Sequence, residues 1–330
     1  MPKKKILYWN PTELENLEYE CAVIGNDPDF EVLMVKDAPD SEFLKYGADV
    51  DALAVDYLNI TDELLQQMPN VKIIVRRGVG FEQFDLDAFN KHGVLGCNLP
   101  TYCMKEVALH TMVLALSCGR FITELNARTQ RGDGDYSDIQ MHRPDGQVYG
   151  MVSLGRIPRQ VVPALKALGF RVVTWDPYLA QSACDGLGVE RVDELDELLA
   201  MSDYVSVNTP LNEQTRGMMS RERLEKIKEG AIVVCSSRGG IIDEAALADL
   251  LRSGKLRGAG LDVLEDEIAF ETPLRGLKNV ILTPHVAYYS EEAEETLRTQ
   301  TIEIMYKALR DGEYPESLLN RDVVGHSRID

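Results

Sequence analysis

The 330-residue chain contains no uninterrupted apolar run of the 18 or so residues that a membrane-spanning helix needs. Its start, MPKKKILYWN, has a basic patch but no apolar core behind it, unlike a secretory signal. No two of the six cysteines (Cys21, Cys97, Cys103, Cys118, Cys184, Cys235) stand at C-x-x-C spacing. Neither a zinc knuckle nor a disulfide framework is indicated; no metal site is expected and the thiols read as reduced. No stretch gathers enough Lys and Arg to offset the net charge of −19, which repels phosphate backbones and argues against nucleic acid as a ligand. Short-period repeats and low-complexity segments are missing as well. What these absences leave is a cytoplasmic globular protein. At 45% hydrophobic and 27% charged residues, a chain of this length is expected to form two domains.

Short apolar runs alternate with helical patterns from the start: KKILYW, FEVLMV, DALAVD and VKIIVRR, separated by Gly, Pro or Asp. That is the β-α-β rhythm of a parallel sheet. The stretch from Glu106 to Arg128 is rich in helix formers and free of Pro, and predicts one extended, buried helix. After a polar segment over 132–148 the alternation resumes at GMVSL, RVVTWD, YVSVN, AIVVC, GAGLDV and NVILT, which predicts a second parallel sheet. EEAEETLRTQTIEIMYKAL then predicts a closing helix. The fold class is α/β, with two Rossmann-like domains.

GMVSLGRIP, residues 150–158, follows a strand pattern and opens a helical one, and Asp176 ends the next strand 21 residues after Gly155. In this layout of a dinucleotide site, backbone N–H groups at a helix start hold the pyrophosphate while the acidic residue accepts from the ribose. Ser153, Gly155, Arg156, Ile157 and Asp176 are the candidate cofactor-binding residues. A carboxylate at 176 favours NAD over NADP, because it repels a 2′-phosphate. The usual glycines are depleted: Ser153 takes the first position and Pro158 the third. Pro163 falls inside the same predicted helix, where it costs roughly 3 kcal/mol or forces a kink. A displaced helix and weakened NAD affinity are the expectation.

Three further strand ends carry chemistry: CSSRGG with Arg238, LDVLEDE with Asp262 and Glu267, and LTPHVAYYS with His285. Strand C-termini of a doubly wound sheet open onto the ligand crevice, so these groups can converge there. Reduction of a 2-oxo acid needs such a set. Arg pairs with the carboxylate and polarises the carbonyl, His donates a proton as hydride arrives, and a carboxylate orients the imidazole.

SSRGGIIDEAAL, GAGLDVLEDE and ILTPHVAYYSEEA, with RRGVGFEQFDLDAF and NLPTYCMKEVALHTM, resemble the D-isomer-specific 2-hydroxyacid dehydrogenases over nearly the whole chain. The resemblance implies a substrate domain of residues 1–101 plus 288–330, an inserted NAD-binding domain at 102–287, and a homodimer formed through the latter. It implies that Arg238 clamps the substrate, Glu267 is the relay carboxylate and His285 the acid/base, and that Asp262 receives the nicotinamide carboxamide. Val79 and Gly80 match the loop whose N–H groups hold the substrate carboxylate, and Thr209, Pro210, Thr215 and Ser236 flank the cofactor. Arg77 stands where a neutral residue is common; it either meets a second anionic or polar group of the substrate or serves the surface. Ile268 replaces the usual proline after Glu267, and Tyr288 and Tyr289 fall near the hinge. The expected activity is NADH-dependent reduction of a small 2-oxo acid. The alternative is a protein that binds NAD with little catalysis, as a sensor or like the C-terminal-binding-protein corepressors, which HVAYYSEEA also resembles.

Overall fold

A computed structural model of the protein describes residues 2–12 and 14–329. The chain divides into two compact units, Met1–Tyr102 with Ser290–Asp330, and Cys103–Tyr289. In the first, β1 (Lys4–Trp9), α1 (Glu18–Val23), β2 (Phe30–Val35), α2 (Leu44–Gly47), β3 (Ala52–Val55), α3 (Asp62–Gln66), β4 (Ile73–Arg76), α4 (Leu86–His92) and β5 (Leu95–Cys97) alternate along the chain. The strands are parallel, in the order β2-β1-β3-β4-β5. Successive side chains of a strand point to opposite faces, so Ile6 and Tyr8 enter one core layer and Leu7 and Trp9 the other. Because both faces are buried, these strands read as continuous apolar runs.

The second unit follows with α5 (Met104–Gly119), α6 (Ile122–Gln130), β6 (Val148–Val152), α7 (Val162–Ala167), β7 (Arg171–Trp175), α8 (Gln181–Leu187), β8 (Glu190–Arg191), α9 (Leu195–Met201), β9 (Tyr204–Val207), α10 (Arg221–Leu224), β10 (Ile232–Cys235), α11 (Glu244–Arg252), β11 (Gly258–Leu261) and β12 (Val280–Leu282). Its parallel sheet runs β8-β7-β6-β9-β10-β11-β12. That is the Rossmann order extended by one strand, with its switch point between β6 and β9. The chain then returns to the first unit as α12 (Glu291–Asp311), whose Arg298 pairs with buried Glu20 of α1 at 2.7 and 2.9 Å. No helix among the described residues is long and apolar enough to cross a membrane.

Two helical expectations are corrected. The helix expected over 106–128 is two, α5 and α6, broken where Phe121 takes a left-handed conformation at φ 52°. A Cβ on Gly119 would lie 2.1 Å from the hydroxyl of Tyr204, so α5 approaches the sheet there on a glycine. Pro163 is not in a helix interior either. Pro158–Val161 form a 3₁₀ turn with proline at its start, and α7 begins afresh at Val162, so Pro163 sits in its first turn. A proline there loses no helical hydrogen bond, and the interior penalty is avoided by splitting the helix.

Candidate active site

All strands of the second sheet are parallel, so the loops that follow them gather at one edge. After β6 the chain turns through Ser153 at φ 74°, a conformation that costs a residue with a Cβ about 1 kcal/mol or more. Its surroundings hold it there: the Ser153 N–H donates to the Trp175 carbonyl at 2.8 Å, and its hydroxyl donates to Asp176 Oδ2 at 3.1 Å. The same oxygen accepts the Leu154 N–H at 3.0 Å, and Oδ1 accepts the Tyr178 N–H at 3.0 Å. A carboxylate has about four acceptor sites. Asp176, 8% exposed, therefore spends most of its capacity inside the protein and keeps little for a ribose.

The remaining residues of this edge fit a dinucleotide. A Cβ on Gly155 would meet nothing within 4 Å, so the backbone there faces open space, with Arg156 exposed and Ile157 half-buried beside it. Past β9 and β10, the hydroxyls of Thr209 and Ser236 are buried with no hydrogen-bond partner among the described residues. Buried polar groups left unpaired cost about 1–3 kcal/mol each, a cost that a ligand rich in hydroxyl and phosphate oxygens removes. Thr215 serves the loop itself: its Oγ1 donates to the Pro210 carbonyl at 2.5 Å and accepts the Asn212 N–H at 2.9 Å. Replacing Ser153 by glycine is expected to raise stability by about 1 kcal/mol through relief of the left-handed strain. It should also tighten NADH binding by freeing an acceptor on Asp176. Thermal melts and NADH fluorescence titration measure both, and weaker NADH binding in the variant would show that the hydroxyl contacts the cofactor.

At the other end of the sheet, His285 Nδ1 lies 2.7 Å from Glu267 Oε2, with side chains 39% and 34% exposed. Burial pushes the Glu267 carboxyl up, but the hydrogen bond and charge of His285, the Leu264 N–H and the charge of Arg238 outweigh it and leave it below the ordinary carboxylate range. Glu267 is thus an anion that orients the imidazole through Nδ1 and leaves Nε2 for a substrate. Arg238, next to the end of β10, folds its Nη1 onto the Ser237 carbonyl at 2.7 Å. Gly239 lets the chain pass here, for a Cβ on it would lie 1.8 Å from the Leu264 carbonyl oxygen. Ile268, 96% exposed, donates its N–H to Asp266 Oδ1 at 3.0 Å, a bond that a proline could not make.

Asp262 anchors the His285 loop. Its carboxylate is 0% exposed; Oδ1 accepts from the Thr283 hydroxyl at 2.5 Å and the Val286 N–H at 3.0 Å, and Oδ2 accepts the Ala287 N–H at 2.9 Å. His285 itself is left-handed at φ 54°.

In the first unit, Arg77 is not a surface residue. Its side chain is 1% exposed, and Nη1 donates to both oxygens of Asp56 at 3.2 and 3.1 Å, with Glu294 3.7 Å from Nη2. Asp56 also accepts the Thr12 N–H and hydroxyl, both at 2.7 Å. The charge of Arg77 is answered inside the protein. In the adjoining loop, Leu99 N–H and Asn98 Nδ2 take the carbonyls of Gly78 and Val79 at 2.9 and 2.6 Å, which pins the turn that presents Val79 and Gly80. Asp56, Gly239 and His110 were missed in the sequence. Asp56 ends a called strand, but nothing in DALAVD shows that it would meet Arg77.

This edge combines a dinucleotide loop with an imidazole–carboxylate pair, and residues 112–287, just over half the chain, match the family model described as D-isomer specific 2-hydroxyacid dehydrogenase, NAD binding domain. The chain belongs to the D-isomer specific 2-hydroxyacid dehydrogenases. Among members of known activity, the D-3-phosphoglycerate dehydrogenase of Methanocaldococcus jannaschii is 36% identical over 289 residues, covering 87% of this chain and 55% of its own. The chain spans about half the length of the curated relatives it matches. Of solved structures, the Aquifex aeolicus D-lactate dehydrogenase complexed with NAD and lactic acid superposes with a TM-score of 0.81 at 27% identity, covering 97% of each chain. An acyclic imino acid reductase in complex with NADPH and D-Arg gives 0.84 at 25% identity, covering 96% of this chain and 99% of its own. The chain is accordingly a member of an NAD-binding oxidoreductase family.

Proposed function

We propose that the protein reduces a small 2-oxo acid to the D-2-hydroxy acid with NADH, reversibly. The observation that carries this reading is the 2.7 Å pairing of His285 Nδ1 with Glu267, beside Arg238, in a unit whose loops fit a dinucleotide. Bound on this edge, NADH would supply the hydride that the carbonyl carbon takes up. His285 Nε2 gives a proton to the carbonyl oxygen, Glu267 stabilises the imidazole that carries it, and Arg238 holds the carboxylate and draws charge from the carbonyl. One hydride and one proton are taken up and a hydroxyl is formed.

Arg77 is engaged by Asp56 within its own unit, so this reading gives it no second anionic group of the substrate to hold. A homodimer is supported by Leu109 and Val113, four residues apart on α5 and 55% and 47% exposed. The deciding experiment is NADH oxidation, followed by absorbance, against pyruvate, glyoxylate, hydroxypyruvate and longer 2-oxo acids, with oxaloacetate and phosphohydroxypyruvate as the doubly anionic comparison. Turnover of the first group is expected. NADH binding without turnover of any would favour the sensor or corepressor-like alternative.

A further inference from the structure

We propose that His110, in the middle of α5, is a positioning residue that holds the His285 loop in its working conformation through Thr283 and Asp262. The inference rests on the reading of His285 as the acid/base. His110 Nε2 lies 3.0 Å from Thr283 Oγ1 and 3.5 Å from Asp262 Oδ1, with its side chain 25% exposed. Thr283 gives its single hydroxyl hydrogen to Asp262 Oδ1 at 2.5 Å. The oxygen of Thr283 can then only accept from His110, which assigns a hydrogen to Nε2.

From Asp262 the connection reaches the loop backbone. Its carboxylate accepts the N–H groups of Val286 and Ala287, and its main-chain carbonyl accepts that of His285 at 2.7 Å. One residue therefore collects three consecutive N–H groups from the segment in which His285 is left-handed at φ 54°. A residue with a Cβ keeps that conformation only where its surroundings over-determine it. The conformation aims Nδ1 at Glu267. His110 is the outermost donor of this relay and joins it to α5. Without it the Thr283 hydroxyl can rotate away from Asp262, and Asp262 loses one of the bonds that set its orientation.

The test uses four variants of the full chain, H110L, H110Q, T283V and H110L/T283V, with H285A as control. Gln at 110 can place an N–H near the former Nε2, whereas Leu cannot. H110L is expected to lower kcat about 10- to 100-fold, as for a catalytic group displaced by a fraction of an ångström to 1 Å, with KM for the oxo acid and NADH affinity changed less than threefold. H110Q should recover most of kcat, and the double variant should be no slower than T283V alone, because both remove the same relay. Histidine-ring ¹H–¹⁵N spectra of the protein without cofactor give a second readout. The chain has five histidines, and the resonance lost in H285A should move in H110L and T283V but not in H110Q. Wild-type kcat in H110L, additive losses in the double variant, or an unmoved His285 resonance would overturn the proposal. If H285A itself keeps full turnover, the acid/base reading fails instead, independently of His110.

Discussion

Replacing His285 by alanine is expected to lower kcat by about 10²- to 10⁴-fold, the usual contribution of a positioned general acid. The imidazole is the group that the fold aims at Glu267 Oε2 from 2.7 Å, and without it the proton must come from water. NADH affinity should stay within a few-fold of wild type, because the candidate cofactor residues of the Ser153–Ile157 loop, Thr209 and Ser236 lie after other strands. The variant should also change the titration of Glu267. Burial raises that carboxyl and His285 supplies the leading opposing effects, so removing the ring should move it upward. The sign for stability follows from linkage. A carboxyl lowered in the folded state stabilises at pH above its unfolded value, about 4.3 for Glu, and that stabilisation is lost as pH falls through the lower folded value. In H285A this acid-side stabilisation should shrink. Stopped-flow NADH oxidation, carboxylate NMR and acid melts check the three parts, and full turnover in H285A would remove the acid/base assignment.

Gly239→Ala should be nearly as damaging, although the residue has no chemistry of its own. The added Cβ would stand 1.8 Å from the Leu264 carbonyl oxygen, 2.3 Å from its carbon and 2.8 Å from the Glu265 nitrogen. All three are backbone atoms, so no side chain can swing aside. The segment that must move leads directly into Glu267, while Gly239 itself follows Arg238. Overpacking of this kind costs about 1–3 kcal/mol, and a displacement near 1 Å between reacting groups costs roughly 10²-fold in rate. The expected result is a lowered melting temperature together with a 10²-fold fall in kcat. Gly155→Ala is the contrasting control: its Cβ enters open space, so stability should hold while NADH binding weakens. Unchanged kinetics in the Gly239 variant would show that the two loops are more compliant than their contact implies.

The strand runs are legible because buried parallel strands announce themselves as apolar segments, and all ten expected are present, from Lys4–Trp9 to Val280–Leu282. The short strands Leu95–Cys97 and Glu190–Arg191 carry too few apolar residues for a periodic signal. The break between α5 and α6 was hidden for another reason. The stretch has good helix formers nearly throughout, and the break comes at Phe121, whose left-handed conformation spacing does not signal, just after Gly119 packs close to Tyr204, a residue 85 positions away. The proline-rich start of α7 shows the reverse: the prolines signal a break, but spacing does not show that a 3₁₀ turn takes Pro158 and a fresh helix start takes Pro163.

By itself the sequence determined the α/β class, the alternation of strands and helices, and the placing of Arg238, Glu267 and His285 after successive strand patterns. These depend on local periodicity and on the rule that parallel strands deliver their C-termini to one edge. Tertiary structure alone decided the partners. It made Asp262 the anchor of the His285 loop, gave Arg77 to Asp56, set Ser153 against Asp176 and brought His110 to Thr283. Each of those pairs is fixed by hydrogen-bond geometry between segments distant in the chain or by a backbone turn, and neither residue type nor spacing encodes which acceptor a donor will meet.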